Sequence, residues 1–419
     1  MTSMNKINKK TILILLFIAL LALFNSLSFI FFRYKLLSSD TIYYDRIAWN
    51  FAQGHGLIDQ GKPFIYKTPT YVLFVSIIYY LFGHFPILVL IIQSILYSIC
   101  CVILYLAARN LCDEKTSLLA GLGFAFYFPA AYYSSGILSE ILGIFLALLV
   151  ILFCLKFRKT SEKQYLVFCG IFLGLDILCK PILLFFPVPI ILYFFWQRIK
   201  KLYIAVCILF ISISITMAPW VWRNYLIFHK FIPLSKGYVE EVFIGSVLDY
   251  KYSLWDWNFW FDKPDDPRRK DLDLIRKKID LEFNNDSFVS KENLLFHTTL
   301  ELIAKNPMRY LQGCFVNIAK LWLSYPSRAV FLVKMIVILF DLILLGFAII
   351  GIIVIRKQWK QFSIFWLPLV YITLIHLPFH VESRFTILVK PYLFIFVSIG
   401  INKIFYFLSN NFFKNSFER

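Results

Sequence analysis

Asp40 and Lys67 are the residues with the clearest chemical potential, and both lie in one polar segment between two strongly apolar runs. We call residues 38–71 the first polar segment. A carboxylate beside a membrane can take a proton as a general base, and a lysine can hold a phosphate as a point charge. Structural roles also fit these residues. Asp40 can cap the helix predicted after it, and Lys67 can extend its ammonium group to the bilayer surface.

Four further charged side chains are candidates for the same chemistry. Glu140 begins an apolar run, where it can belong to a site or can simply favour a helix N-terminus. Arg223 and Arg384 stand near the ends of apolar runs, where they can bind phosphate or anchor a helix at the interface. Asp45 is the fallback for the base and is otherwise a solvated helix residue.

The composition is that of a multi-pass membrane protein. Of the 419 residues, 60% are hydrophobic, and several uncharged runs approach the roughly 20 residues that span a bilayer. The net charge of +18 comes largely from short loops between apolar runs, which is the positive-inside pattern and argues against a nucleic acid partner. Nearly all of the eight cysteines lie in or beside apolar runs, so we expect neither a disulfide framework nor a cysteine-based zinc site.

Charge asymmetry predicts an all-α protein with about ten membrane spans and both termini in the cytoplasm. Lysines precede the first span, and the basic loops near 156–163, 198–201 and 356–360 are assigned to the same side. The apolar run Thr70–Gly83 is short for a span, so we predict an external re-entrant or interfacial helix there. The predicted spans are 11–32, 86–107, 117–134, 139–157, 164–179, 181–197, 202–219, 330–355, 361–378 and 387–406.

A single transmembrane domain, residues 1–406, is predicted to be followed by a cytoplasmic tail, residues 407–419. The domain includes a first external loop, residues 33–69, which carries the candidate base, and a large external loop, residues 220–329. Within the large loop, amphipathic periodicity predicts surface helices, and an aromatic run suits stacking on a sugar. These elements are the helices Asp271–Phe283, Lys291–Lys305 and Pro307–Tyr325 and the aromatic run Trp255–Phe261.

Five motifs, in order, resemble those of GT-C glycosyltransferases and are most similar to the superfamily of lipid A aminoarabinose transferases and protein O-mannosyltransferases. The first polar segment resembles the first external loop of that superfamily: Asp40-x-x-Tyr43-Tyr44, a glycine-rich turn, then Lys67-x-Pro69-x-Tyr71. Departures at Thr41, Tyr43 and Lys180 bear on the sugar and the acceptor. The other motifs are Leu138-Ser139-Glu140-Ile141-Leu142, Leu178-Cys179-Lys180-Pro181, Ala218-Pro219-Trp220-x-x-Arg223-Asn224-Tyr225 and His380-x-Glu382-x-Arg384-Phe385.

The resemblance implies a GT-C fold and a polyprenyl-phosphate-monosaccharide donor. Such a donor already has a good leaving group, so one base and phosphate-binding cations suffice. Asp40 would deprotonate the acceptor as it attacks the anomeric carbon with inversion, and Glu140 would orient the acceptor or the base. The acceptor would be a glycan, a lipid or a protein at the external face of a bacterial inner membrane, with no cofactor. The predicted substrate-binding residues are Lys67, Tyr43, Tyr44, Tyr71, Arg223, Glu382 and Arg384.

Two other classes of protein remain open. A transporter or flippase of lipid-linked sugars explains the spans and the basic residues, but not acids grouped on one side beside a large loop. An O-antigen polymerase or ligase would place its key arginine and histidine in the large loop. His376, His380 and Glu382 have a spacing that a divalent metal could use, although no metal is expected.

Overall fold

The computed structural model describes residues 9–33, 39–235, 288–305, 307–323, 331–379 and 381–417. Within these ranges the chain is almost entirely helical, with one two-stranded sheet. The described residues belong to two compact units. The first unit is drawn from residues 1–235, 345–369 and 387–419, and the second from residues 236–344 and 370–386.

The first polar segment links the long apolar helix α1 (Lys9–Arg33) to the short apolar helix α3 (Pro69–Phe82). Between them lie helix α2 (Ser39–Ala52) and two short strands, β1 (Ile58–Asp59) and β2 (Lys62–Pro63). The further helices are α4 (Pro86–Ala108), α5 (Glu114–Ala125), α6 (Phe128–Ser134), α7 (Glu140–Thr160), α8 (Lys163–Ile177), α9 (Pro187–Trp196), α10 (Leu202–Phe228), α11 (Phe288–Lys305), α12 (Pro307–Leu323), α13 (Phe331–Val354), α14 (Ser363–His376) and α15 (Lys390–Phe417). Short 3₁₀ turns occupy Pro181–Phe185, Arg356–Gln358 and Ser383–Thr386.

Strands β1 and β2 form a small hairpin in the middle of the first polar segment. They pair antiparallel, with Ile58 opposite Pro63 and Asp59 opposite Lys62. The two turn residues, Gln60 and Gly61, have φ angles of 48° and 77°. Positive φ at both central residues is what a two-residue hairpin turn requires, because it matches the twist of the strands. The turn itself is exposed.

The predicted all-α, multi-pass architecture is confirmed. Six of the described helices are long and apolar enough to cross a membrane, namely α1, α4, α7, α10, α13 and α15. Three shorter apolar helical segments accompany them, and α3 is one of these. Its 14 residues agree with the predicted short helix.

Several helix boundaries differ from the sequence prediction. The predicted span 181–197 begins as the 3₁₀ turn Pro181–Phe185 and continues as α9. The predicted span 117–134 is broken into α5 and α6, because Pro129 cannot continue a helix but is well suited to its first turn. Helix α10 continues through Pro219 to Phe228, so the expected large loop starts later than residue 220. Helix α15 continues to Phe417, through most of the segment expected to be a tail. The predicted helix Lys291–Lys305 is present as α11, and Pro307 begins α12.

Glycines allow two pairs of helices in the first unit to approach closely. A Cβ atom on Gly170 or Gly174 of α8 would lie 2.5 Å or 2.8 Å from the Cβ of Ser212 or Thr216 on α10. The approach of α13 to α15 is tighter. A Cβ on Gly351 would lie 2.0 Å from the carbonyl oxygen of Phe396. Small residues at helix contacts permit this kind of backbone packing within a membrane.

We expect Gly351→Ala to destabilise the protein by about 1–3 kcal/mol, because the added methyl group would collide with backbone that cannot move aside. Gly400→Ala should behave similarly, since its Cβ would lie 2.1 Å from the carbonyl oxygen of Phe347. Gly346 is the matched control on α13, because nothing lies within 4 Å of its Cβ position. Gly346→Ala should leave the thermal unfolding midpoint in detergent unchanged or slightly raised. Equal midpoints for all three variants would contradict this packing.

Candidate active site

Asp40 lies in the first turn of α2, one residue inside the helix rather than at the capping position. A carboxylate there is still favoured by the helix macrodipole. Helix α2 buries Tyr44, Ile47 and Ala48 on one face, while the Asp40 side chain remains 23% exposed. The apolar face therefore holds the helix in place, and the Asp40 side chain remains partly accessible to solvent.

Lys67 forms the first of two lysine–carboxylate pairs. Its Nζ lies 3.0 Å from Oδ1 of Asp40 and 5.7 Å from the centre of the Tyr44 ring. The Lys67 side chain is 38% exposed. An ammonium group has three N–H donors, so Lys67 can contact Asp40 and an incoming anion at the same time. The sequence prediction that these two residues belong to one site agrees with this geometry.

Glu140 and Lys180 form the second pair, which is more deeply buried. Nζ of Lys180 lies 3.1 Å from Oε1 of Glu140, and the side chains are 21% and 6% exposed, respectively. Glu140 is in the first turn of α7. Gly143, one turn further on, makes room for Lys180, since a Cβ there would lie 3.1 Å from the Lys180 Cγ. The backbone joins the two pairs: the Thr70 amide donates to the Leu178 carbonyl at 3.1 Å.

Tyr44 lies between the two pairs. Its ring packs edge-on against Tyr71, with centroids 4.8 Å apart. Burial raises the pKa of the Tyr44 hydroxyl far above its ordinary value, and the charges of Glu140 and Asp40 raise it further. Tyr44 is therefore neutral at physiological pH. The charges of both carboxylates therefore act on the pKa of the same hydroxyl.

Tyr71 is buried, and its hydroxyl takes part in a hydrogen-bond network. It is 1% exposed, and its hydroxyl donates to Oε1 of Gln93 at 2.6 Å. The Gln93 amide in turn donates to the carbonyls of Ser134 and Gly136 at 3.0 Å and 2.6 Å. This network joins α3, α4 and the end of α6, and the substrate contact predicted for Tyr71 stays a prediction. Gln93 was missed because an isolated glutamine in an apolar run carries no motif.

Tyr44 is almost as buried as Tyr71, and its predicted substrate contact stays a prediction. Tyr43 is partly exposed and packs beside Phe64, with ring centroids 6.0 Å apart. The predicted substrate contact of Tyr43 stays a prediction.

Asp45 is engaged in packing rather than solvated as the alternative interpretation supposed. It accepts a hydrogen bond from the Tyr79 hydroxyl and lies 3.1 Å from Nε2 of His84. Trp49 stacks on His84, with ring centroids 4.9 Å apart. These contacts tie α2 to α3 and its C-terminal end, so Asp45 supports the helix that carries Asp40.

Arg223 uses its guanidinium on backbone carbonyls. It donates from Nη1 to the Phe64 carbonyl at 2.7 Å and from Nη2 to the Leu57 carbonyl at 3.1 Å. Both carbonyls flank the β1–β2 hairpin. The phosphate contact predicted for Arg223 therefore competes with a structural role that the sequence could not reveal.

Arg384 and Glu382 belong to the second unit, where Nε of Arg384 lies 2.7 Å from Oε2 of Glu382. In the same unit, Nδ1 of His376 lies 2.8 Å from the Ile372 carbonyl. Three predicted features fall outside the described residues: His380, the run Trp255–Phe261 and the helix Asp271–Phe283. No group of three histidine, cysteine or acidic side chains within the described ranges could hold a metal ion, and metal independence stays a prediction.

Comparison with known proteins supports the motif resemblance. Residues 66–222 match the family model described as dolichyl-phosphate-mannose-protein mannosyltransferase. The matched range contains Lys67, Glu140 and Lys180, and it begins after Asp40. No curated protein matches the chain by sequence.

The overall path of the chain is similar to solved structures of an oligosaccharyltransferase from Archaeoglobus fulgidus. One is AglB in complex with an inhibitory peptide and a dolichol-phosphate, with 15% identity, a TM-score of 0.55, and 96% of this chain and 52% of that chain covered. Another is tethered to an acceptor peptide, with 14% identity, a TM-score of 0.56, and coverage of 93% and 49%. The chain has a GT-C fold. It spans about half the length of these relatives.

Asp176 is a buried acidic residue that lies outside the five motifs. It lies in α8 with its side chain fully buried, and no group in the described part of the chain hydrogen-bonds to either carboxylate oxygen. Lys180 follows one helical turn later. An acid inside a predicted span is unusual enough to signal a role by itself, and that signal was available at Asp176 from the sequence.

We expect Lys180→Met to destabilise the GT-C core by about 3 kcal/mol or more, because it leaves the buried Glu140 carboxylate without its lysine. The double variant Lys180→Met/Glu140→Gln should recover at least half of that loss, since no charge is then stranded at Glu140. Lys67→Met is the matched control in the more exposed pair and should cost at most about 1 kcal/mol. Thermal unfolding in detergent measures all three. A double variant no more stable than Lys180→Met would show that the Glu140 charge is not the cause.

Proposed function

We propose that this protein is a membrane glycosyltransferase that moves a monosaccharide from a polyprenyl-phosphate donor to an acceptor, with Asp40 as the general base. The observation that carries the proposal is the first pair, in which Asp40 and the Lys67 ammonium lie 3.0 Å apart and both remain partly exposed. A proton acceptor and a phosphate-binding cation are the two groups that the reaction requires side by side.

The transfer proceeds by displacement at the anomeric carbon. The acceptor hydroxyl or amine forms a bond to that carbon while the bond from carbon to the phosphate oxygen breaks. The acceptor proton passes to Asp40, and the electron pair of the broken bond leaves with polyprenyl phosphate. Lys67 stabilises the charge on the departing phosphate. Attack opposite the leaving group inverts the configuration of the sugar. Glu140, held by Lys180, orients the acceptor or the base.

An apolar groove on α10 offers a place for the prenyl chain. Its volume is about 640 Å³, and only apolar and aromatic side chains line it. Trp222, Tyr225 and Phe231 are all more than half exposed there, which is common where aromatic residues meet a bilayer interface. Burial of each CH₂ group of a lipid chain contributes about 0.8 kcal/mol, so a groove of this size can contribute strongly to donor affinity.

The comparisons support the same donor class. The matching family model is named for a dolichyl-phosphate-mannose donor, and one similar structure holds a dolichol-phosphate and a peptide. We place the protein in a bacterial inner membrane with the first polar segment on the periplasmic side, as the basic loops predict. The acceptor is a glycan, a lipid or a protein, and mass spectrometry of lipid that copurifies with the protein identifies the donor.

Asp40→Asn tests the base directly. The variant should fold and bind donor, but it should lose on the order of 10²-fold or more in transfer rate, because an amide cannot accept the proton. Transfer is measured with polyprenyl-phosphate-mannose and other polyprenyl-phosphate monosaccharides in detergent.

Asp45→Asn is the control for this experiment, since its amide oxygen can still accept from Tyr79, and it should keep most activity. Near wild-type turnover in Asp40→Asn would remove the base role. Lipid movement across vesicles without any sugar transfer by the wild-type protein would favour a flippase instead.

Lys67→Ala should weaken donor binding as well as turnover, because the ammonium contacts the phosphate before and during transfer. Lys67→Arg should restore only part of the affinity, since a planar guanidinium does not replace a compact ammonium. Binding of polyprenyl phosphate, measured by thermal shift, reports the effect apart from turnover. An unchanged affinity in Lys67→Ala would take Lys67 out of the phosphate site.

A further inference from the structure

Arg223 closes the open end of the β1–β2 hairpin. The Leu57 and Phe64 residues flank the two strands, and the Phe64 amide donates to the Leu57 carbonyl at 2.9 Å. Arg223 adds donors to the carbonyls of both residues, at 3.1 Å and 2.7 Å. A planar guanidinium suits this task because its N–H groups form a rigid fork. One side chain of α10 thus holds both sides of the hairpin.

The segment that follows the hairpin is a strap, residues 64–70, which carries Lys67. Phe64, Ile65 and Thr68 are buried. At its far end, the Thr70 amide is bonded to the Leu178 carbonyl at 3.1 Å. Lys67 stands three residues after Phe64, which is at most about 10 Å of extended chain. Arg223 therefore fixes the end of the strap that adjoins the hairpin. Movement of the backbone at that end would displace the Lys67 ammonium.

Other contacts fix the Arg223 guanidinium itself. It lies 5.0 Å from the centre of the Trp220 ring, and Nη1 also donates to Oδ1 of Asn224 at 2.9 Å. Trp220 packs edge-on against Phe64, with centroids 6.2 Å apart. Both N–H groups of Nη1 are thus directed to fixed acceptors within the fold. This arrangement suits a rigid support for backbone better than a group that exchanges partners with a substrate.

We infer that Arg223 is a positioning residue, which acts through the strap to hold Lys67 at Asp40, and is not a phosphate ligand. The inference rests on the proposed role of Lys67 for its effect on donor binding, but not for its effect on the strap. Replacement of the guanidinium by a neutral side chain removes one donor from each carbonyl, and the Leu57 carbonyl then keeps only its bond from the Phe64 amide. A lysine there lacks the rigid fork of N–H groups that a guanidinium presents, so Arg223→Lys should restore only part of the effect.

Hydrogen exchange tests the anchor without any substrate. In purified protein in detergent, Arg223→Gln should raise the amide exchange rate of peptides that cover residues 57–67 on the order of tenfold, because local opening becomes easier. Arg223→Lys should give a smaller increase, and the exposed Arg109→Gln control should give none. Unchanged exchange over residues 57–67 in Arg223→Gln would overturn the inference, as would a uniform increase over the whole chain.

A double-mutant cycle separates positioning from direct binding. Polyprenyl phosphate is titrated against wild type, Lys67→Ala, Arg223→Gln and the double variant. If Arg223 acts through Lys67, the double variant should bind within about twofold of Lys67→Ala. If the double variant instead loses affinity by the product of the two single-variant losses, Arg223 binds the phosphate itself and the inference is overturned. Absence of binding to the wild type would reject the proposed function, while the exchange measurement would still decide the role of Arg223.

Discussion

A charge buried in this largely apolar chain has to be compensated, and that constraint organises the first unit. An ion taken from water into a protein interior is destabilised by several kcal/mol unless a partner and hydrogen bonds offset the loss. Glu140 meets this requirement with Lys180, at the junction of α7 and the turn after α8. Gly143 makes room for Lys180 at this junction. The backbone bond from Thr70 to Leu178 holds the strap there, and Lys67 of the strap pairs with Asp40 of α2.

The two lysine–carboxylate pairs differ in how freely they can exchange partners. In the Glu140–Lys180 pair the carboxylate is buried, so a charged substrate group that replaced Lys180 there would first have to lose its own water. The Asp40–Lys67 pair is partly exposed, and water already reaches both groups. Such a pair can open toward a phosphate and an acceptor at low energetic cost. The buried pair therefore sets the framework, while the exposed pair is the one available for reaction.

Most of the helices, the placement of Asp40 and Lys67 in one polar segment, and the GT-C resemblance could be predicted from the sequence, because each depends on local pattern or residue order. The ion pair between Asp40 and Lys67 could not, because it depends on how the segment folds. It could not reveal the partner of Arg223, since a guanidinium fork fits carbonyl oxygens and phosphate oxygens equally well. The bond from Tyr71 to Gln93 could not be predicted for a related reason: a tyrosine in a motif has the same letter whether its hydroxyl meets a ligand or a buried glutamine. Pro219 did not end α10, because a proline within a membrane helix can be tolerated where its surroundings satisfy the freed backbone groups.

The two ends of the β1–β2 hairpin differ in how they are held. Its open end is held at Leu57 and Phe64, whereas its turn at Gln60 and Gly61 is exposed. The free energy of closing a loop grows only slowly with its length. Residues added at the turn would therefore change the exposed surface there, while the strap and Lys67 kept their positions. A chain built this way can acquire new surface for different acceptors without altering the machinery beneath it.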